Sequence, residues 1–62
     1  MRIKVGDLVV VVFSVGEMLG LVTEVTNPQY GIPPVYWIKF IDDGEELRVQ
    51  HNDIVRVINA NN

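Results

Sequence analysis

The chain contains no cysteine, which excludes disulfides and thiolate metal sites. Its single histidine, His51, is not accompanied by a group of carboxylates that would complete a zinc site. No apolar run approaches the length that crosses a membrane, and the amino terminus lacks the basic and apolar regions of a signal peptide. From these absences we expect a cytoplasmic protein with no metal, no cofactor and no membrane partner.

Positive charge is also scarce. Five basic residues are scattered among eight acidic ones, which gives a formal net charge of -3 and a pI near 4.7. Proteins that bind a phosphate backbone usually cluster Lys and Arg, so this balance disfavours nucleic acid as the partner. Apolar residues are abundant instead, at 48% of the 62 residues, with a mean hydropathy of +0.23. In so small a chain this favours a dense core, or association with a protein partner or with another copy.

Local patterns predict strands rather than helices. Leu8–Phe13 is a run of β-branched and aromatic residues, and Gly20, in the next apolar run, suggests a bulge or a close backbone approach. The clearest signal is a hairpin, in which an aromatic run reaches the turn pair Asp43 and Gly44 and returns as another strand. All three prolines fall in one long loop, 27–34. We expect strands at 8–13, 19–25, 36–41, 47–49 and 54–58, with a helical turn at 50–53.

Short strands with hairpin-scale connections predict an all-β fold: a small five-stranded antiparallel barrel with one short helical turn before the last strand. We assign residues 1–58 to this single domain and 59–62 to a frayed carboxyl-terminal tail. Closure of the sheet would remove exposed strand edges. The side chains expected to point inward are Val9, Val11, Phe13, Val22, Ile38, Phe40, Leu47, Val49, Ile54 and Val57.

Most of the chain resembles the Tudor family of SH3-like barrels. The segment 40–54 is similar to the Tudor pattern in the spacing of its turn and core positions, and 6–9 looks like the Gly-Asp-any-Val that opens such domains. The resemblance implies an SH3-like barrel. It does not extend to the family's methylated ligand, because Asp43 stands where the cage tyrosine falls and Glu45 where the neighbouring asparagine falls. Recognition of a methylated cation requires aromatic ring faces around it.

A second resemblance is to the KOW motif of ribosomal proteins and transcription elongation factors. The positions that carry it are Gly6, Asp7, Val9, Val11, Gly16, Gly20 and Val22. It implies contact with RNA or protein, usually through basic residues in a loop where this chain has Glu17 and no Lys or Arg. The small size and the lack of catalytic motifs also resemble the accessory proteins of bacteriophages, which act by binding a host or virion protein.

The first strand is apolar on both faces. When alternate side chains of this strand point inward, the other three point outward, where the amino-terminal segment or another strand covers them, or where they form a protein interface. On the third strand, two more large apolar side chains share the outward parity. The candidate interface residues are Leu8, Val10, Val12, Trp37 and Ile41.

The proline-containing loop is a second candidate site. Its aromatic and proline side chains could line a shallow groove for an extended or proline-rich peptide, or they could anchor the loop to the barrel. The segment 32–34 could instead be the polyproline ligand of a partner's groove. The candidate groove residues are Tyr30, Pro33, Pro34 and Tyr36.

No catalytic arrangement is visible in the sequence. Ser14 has no histidine and acid in a suitable context, and the acidic cluster at 42–46 is either a solvated turn or a weak calcium or magnesium site whose spacing matches no EF-hand. We therefore predict a non-catalytic protein-interaction or self-assembly module without an intact methyl-ligand cage. The alternative is a KOW-like nucleic-acid-binding accessory protein.

Overall fold

The computed structural model describes residues 3–26 and 31–58. A 3-10 helical turn, His51–Asp53, precedes the last strand, and the described residues contain no α-helix. The predicted all-β fold with five antiparallel strands and one helical turn is therefore confirmed. The predicted tail 59–62 and Tyr30 lie outside the described residues. The five strands are β1 (Leu8–Phe13), β2 (Gly16–Thr26), β3 (Val35–Phe40), β4 (Glu46–Gln50) and β5 (Ile54–Val57).

The sheet has the order β4-β3-β2-β1-β5, and every neighbouring pair is antiparallel. The first four strands follow one another as a meander, and β5 returns to pair with β1. The strands β4 and β5 are thus the two edges, and the sheet is not closed as the sequence led us to expect. The His51–Asp53 turn carries the chain from one edge to the other.

A tight turn fixes the entry into β1. The amide of Asp7 donates to the Lys4 carbonyl at 3.1 Å, and Gly6 has a φ of 96°, which favours glycine. The Asp7 carboxylate is buried and accepts a hydrogen bond from the Lys4 amide at 3.0 Å. The backbone of this turn also joins Val22 of β2, through the bonds of Gly6 N to Val22 O and Val22 N to Asp7 O, both 2.9 Å. The Gly-Asp pair therefore has a structural role.

The β3–β4 hairpin turns through residues 41–44. The Gly44 amide donates to the Phe40 carbonyl at 2.9 Å, and the Phe40 amide donates to the Glu45 carbonyl at 2.8 Å. Gly44 has a φ of 74°, and the Asp43 carboxylate accepts a hydrogen bond from the Glu45 amide at 2.9 Å. The Asp-Gly pair therefore forms the turn that the sequence predicts, but the connection between β3 and β4 is longer than a two-residue hairpin loop.

Gly20 lies where two strands approach closely. A Cβ atom at Gly20 would collide with the Ile38 side chain of β3 and would lie 3.1 Å from Cδ1 of Phe40. The close approach predicted at this glycine is therefore confirmed. The irregularities of the sheet lie elsewhere, one between Val22 and Glu24 in the pairing of β2 with β3, and one between Val10 and Val11 in the pairing of β1 with β5.

The core lies on one face of the curled sheet. Phe13 is half-buried and packs on it with its ring edge-on to Phe40, the ring centroids being 5.5 Å apart, and Val57 packs against it as well. Nine of the ten predicted inward residues therefore belong to the core or pack against it. The buried members of the cluster are Ile3, Val9, Val11, Val22, Tyr36, Ile38, Phe40, Val49 and Ile54.

Leu47 is the exception. Its register partner is the fully buried Ile38, so it has the expected inward parity, but it is 43% exposed. It lies near the hairpin end of β4, an edge strand that no further strand covers, whereas Val49 further along the same strand is buried. The prediction that Leu47 is a core residue is therefore wrong.

Candidate interaction surface

The outer face of the sheet carries a contiguous group of apolar side chains. Residues paired across antiparallel strands lie on the same face, so the register Leu8–Leu21 and Val10–Leu19 places four apolar side chains together. The bonds of Ile41 N to Leu19 O and of Ile58 N to Leu8 O add one apolar residue on either side. Val12 extends the group along β1. We call this surface the outer apolar patch: Leu8, Val10, Val12, Leu19, Leu21, Ile41 and Ile58.

Three of the five predicted interface residues have the predicted position. Ile41 is 61% exposed, Val12 is 40% exposed and Leu8 is half-buried, all on the outer apolar patch. The outer apolar patch also contains Leu19 and Leu21, which were not among the predicted interface residues. Their outward position could have been inferred from parity, because Gly20 and Val22 of the same strand point inward. Sequence reasoning missed them because it did not pair β2 with β1.

Val10 differs from the prediction. It lies on the outer side of β1 but is only 6% exposed. In the register it stands between Leu19 on β2 and Arg56 on β5, so longer side chains flank it on both neighbouring strands. Val10 is therefore the buried centre of the outer apolar patch and cannot itself offer a contact area.

Trp37 is on the outer face but apart from the patch. Its register partners are Glu24 and Arg48, and Lys39 separates it from Ile41 along β3. The Thr23 hydroxyl donates to the Trp37 carbonyl at 3.2 Å and also contacts the Glu46 carboxylate. The half-buried Trp37 is thus surrounded by polar and charged residues, which divides the predicted interface into two parts.

A shallow depression lies at one end of the outer apolar patch. Its lining residues are Glu17, Met18, Leu19, Ile41 and Asp42, and its volume is about 290 Å³. Leu19 and Ile41 are apolar members of the patch, whereas Glu17 and Asp42 bring carboxylates to the rim. We call this site the acidic depression.

The proline loop forms a second, smaller groove of about 200 Å³. Pro33 and Pro34 line it, as predicted, but Tyr36 does not, and Tyr30 lies outside the described residues. The other lining residues are Ile32, Val35, Gln50, His51 and Asn52. The groove therefore has prolines on one side and the polar end of β4 on the other, and none of its lining residues within the described ranges is one of the aromatic residues that the sequence suggested.

Tyr36 is a core residue rather than a groove residue. It is 3% exposed because it shares the inward parity of Ile38 and Phe40, opposite to Trp37. Its hydroxyl lies 3.1 Å from Nδ1 of His51, and burial raises the pKa of Tyr36 above its usual value. Its inclusion among the ligand-groove residues is wrong, because strand parity directs it into the core.

The acidic turn carries no built ion site within the described residues. No three His, Asp or Glu side chains in ranges 3–26 and 31–58 are grouped so that they could hold a metal ion. The Asp43 carboxylate already accepts a hydrogen bond from the Glu45 amide, and the Glu46 carboxylate accepts one from the Thr23 hydroxyl. Over the same ranges, no helix is long and apolar enough to cross a membrane.

Comparison with known proteins adds no relative. A scan against protein-family models, a search of curated proteins and a search of solved structures each returned no match for the chain. The structure itself defines the class, which is a small all-β domain of five antiparallel strands with a barrel-like meander. Its most distinctive surface is the outer apolar patch with the acidic depression at one end.

Proposed function

We propose that this protein is a non-catalytic interaction module of the SH3-like barrel type that associates with a protein through the outer apolar patch. The SH3-like assignment is supported by the meander of β1 to β4 and the return of β5 to the side of β1. The turn geometry at Gly6 and Gly44 supports it as well, because both glycines of the Tudor-like pattern have a positive φ. The cage position, Asp43, is part of that turn and supplies no aromatic wall.

The observation that carries the proposal is the exposure of clustered apolar side chains. Leu19 and Leu21 are each more than a third exposed although they lie in the middle of the sheet order. Contiguous apolar surface of this kind costs free energy in water and marks sites of contact with another protein. These two leucines are not among the buried residues of the core on the opposite face.

The alternative, a nucleic-acid-binding role, gains no support from the charge distribution. Lys4, Lys39, Arg48 and Arg56 are the cations of the described residues, and they lie on three different strands and in the segment before β1. The loop between β1 and β2, which carries basic residues in KOW proteins, ends at the acidic depression. The protein-interaction role is the better explanation of this surface.

The test compares two lysine substitutions at apolar positions. Leu21→Lys changes the outer apolar patch, whereas Ile32→Lys changes an exposed apolar residue beside the proline groove and serves as the matched control. Molar mass by light scattering reports self-association, and affinity capture followed by mass spectrometry identifies retained proteins. Circular dichroism verifies that each variant is folded.

We expect association, with itself or with an identified protein, that Leu21→Lys abolishes and Ile32→Lys preserves. Association that survives Leu21→Lys would place the interface elsewhere and contradict the proposal. A chain that remains monomeric and retains no protein would also contradict it. Binding of RNA or single-stranded DNA in a low-salt gel shift, in the absence of protein association, would favour the alternative.

A further inference from the structure

We propose that the outer apolar patch binds a second copy of this chain, and that Arg56 of each copy enters the acidic depression of the other. This inference rests on the proposed function and specifies the partner. It arises from the positions of charge and apolar surface along a single row of the sheet. That row contains a cation at one end and the acidic depression at the other.

The row follows from the register of two strand pairs and one further backbone hydrogen bond. Arg56 of β5 is opposite Val10 of β1, Val10 is opposite Leu19 of β2, and Leu19 is bonded through its carbonyl to the Ile41 amide. Neighbouring strands are about 4.8 Å apart, so Arg56 and Ile41 stand roughly 14 Å apart on the same face. Asp42 follows Ile41 directly and lines the acidic depression with it.

Consider a two-fold axis that lies above the outer face of the sheet, parallel to the strands and midway between β1 and β2. Rotation about this axis makes the row complementary to the same row of the second copy. The rotation places β1 of one copy over β2 of the other and β5 over the end of β3, as in an isologous dimer. Arg56 then lies over Ile41 and the acidic depression, while Leu19 covers Val10. The same contact occurs twice, because each copy contributes one Arg56 and one depression.

The chemistry of the depression fits an arginine. The aliphatic part of the Arg56 side chain can cover Leu19 and Ile41, while its guanidinium group donates hydrogen bonds to the carboxylates of Glu17 and Asp42. Within the described parts of the chain, the side chains of these three charged residues have no ion pair or hydrogen bond. They are therefore available for pairing between copies.

The size of the contact explains why charged residues are needed. A stable protein interface removes about 800 Å² of surface from each partner, which is about a sixth of the 4511 Å² that this chain exposes. An interface of that extent includes the charged rim of the outer apolar patch as well as its apolar centre. The rim must then be complementary, since unpaired charges buried in a contact oppose association.

Charge reversal tests the two-fold arrangement. The first variant is Arg56→Glu, the second is the double variant Glu17→Arg with Asp42→Arg, and the matched control is Arg48→Glu, on β4 outside the patch. Each is measured by sedimentation and light scattering up to about 1 mM, where even weak complexes form. The two reversed variants are also mixed in equal amounts.

We expect the unmodified chain and Arg48→Glu to dimerise equally, and each reversed variant alone to dimerise at least tenfold more weakly. The equimolar mixture should recover the dimer as a heterodimer, because both contacts are then between opposite charges. One is the original contact of Arg56 with Glu17 and Asp42, and the other has its signs exchanged. This recovery cannot arise from a general loss of folding. Circular dichroism spectra matching that of the unmodified chain are the accompanying control.

A monomer at all concentrations would overturn the inference. So would a dimer that Arg56→Glu leaves unchanged, or a mixture of reversed variants that remains monomeric. If Leu21→Lys abolishes association while charge reversal has no effect, the proposed function stands and only this two-fold arrangement fails. A dimer that resists both kinds of substitution contradicts both.

Discussion

The hydroxyl of Tyr36 lies 3.1 Å from Nδ1 of His51, and their ring centroids are 5.9 Å apart. Tyr36 belongs to the buried part of β3, whereas His51 is the first residue of the helical turn that connects the two edge strands. This contact attaches the connection to the core at the point where the sheet is open. It also satisfies a polar group that would otherwise be buried without a partner.

A double-mutant cycle measures this hydrogen bond. We expect Tyr36→Phe and His51→Ala each to lower the free energy of unfolding, with a coupling energy of about 1 kcal/mol between them. Urea denaturation of the two single variants and the double variant provides the values. Additive effects within error would show that the two side chains do not interact in solution.

Stability should also fall at high pH because of Tyr36. Burial raises the pKa of the folded-state hydroxyl, while the unfolded chain ionises near the usual value of about 10. The contribution of Tyr36 is therefore fully present below that value and is lost as the pH rises through the raised folded-state pKa. The loss is at most about 1.4 kcal/mol per pH unit for one proton.

The measurement is urea denaturation from about pH 8 to about pH 11, spanning the usual tyrosine pKa. Tyr36→Phe is the control, since it retains the ring and removes the ionisable group. The difference between the two curves isolates Tyr36 from the lysines and Tyr30. Parallel curves over this range would contradict the prediction.

Gly20→Ala should destabilise the fold by about 1 to 3 kcal/mol, because the new methyl group collides with Ile38. The Ile38→Ala variant creates room at the same place. Combined with Gly20→Ala, it should therefore destabilise the protein less than the sum of the two separate changes. Thermal or urea unfolding of the three variants tests this, and strict additivity would mean that the two residues are not in close contact.

Asp7→Ala should cost about 1 to 3 kcal/mol, because it removes the buried carboxylate that accepts the Lys4 amide. Asp7→Asn should cost less, since it retains an acceptor oxygen. Lys4→Ala is the control for the ion pair: its 3.9 Å contact to Asp7 involves a side chain that is 80% exposed, so its loss should cost less than about 1 kcal/mol. An equal effect of Lys4→Ala would assign the stabilisation to the charge instead.

Leu47→Ala should be much milder than Ile38→Ala, although the two residues are register partners. Ile38 is fully buried, and its truncation should cost about 2 to 5 kcal/mol. Leu47 lies on the open edge, so little of its surface is removed from water and its truncation should cost less than about 1.5 kcal/mol. Comparable losses in urea denaturation would mean that Leu47 is covered in solution, as a closed barrel requires.

Three of the five predicted interface residues have the position that strand parity alone assigns. Leu8, Val12 and Ile41 were found because alternation along one strand assigns faces without reference to neighbours. Parity also assigns Leu19 and Leu21 to the outer face, but their place beside Leu8 and Val10 depends on the pairing of β2 with β1. The row that joins Arg56 to the acidic depression spans three strands and the residue that follows β3, and no local pattern contains it.

The sequence by itself determined the strands, the turns and most of the inward side chains of this protein. These depend on local physics: the left-handed backbone that glycine permits at Gly6 and Gly44, the β-branched runs and the alternation of faces. Only the tertiary structure decided that Val10 is buried on the outer face, that Leu47 is exposed and that the sheet remains open. Burial depends on which side chains lie on adjacent strands, and that is set by long-range register.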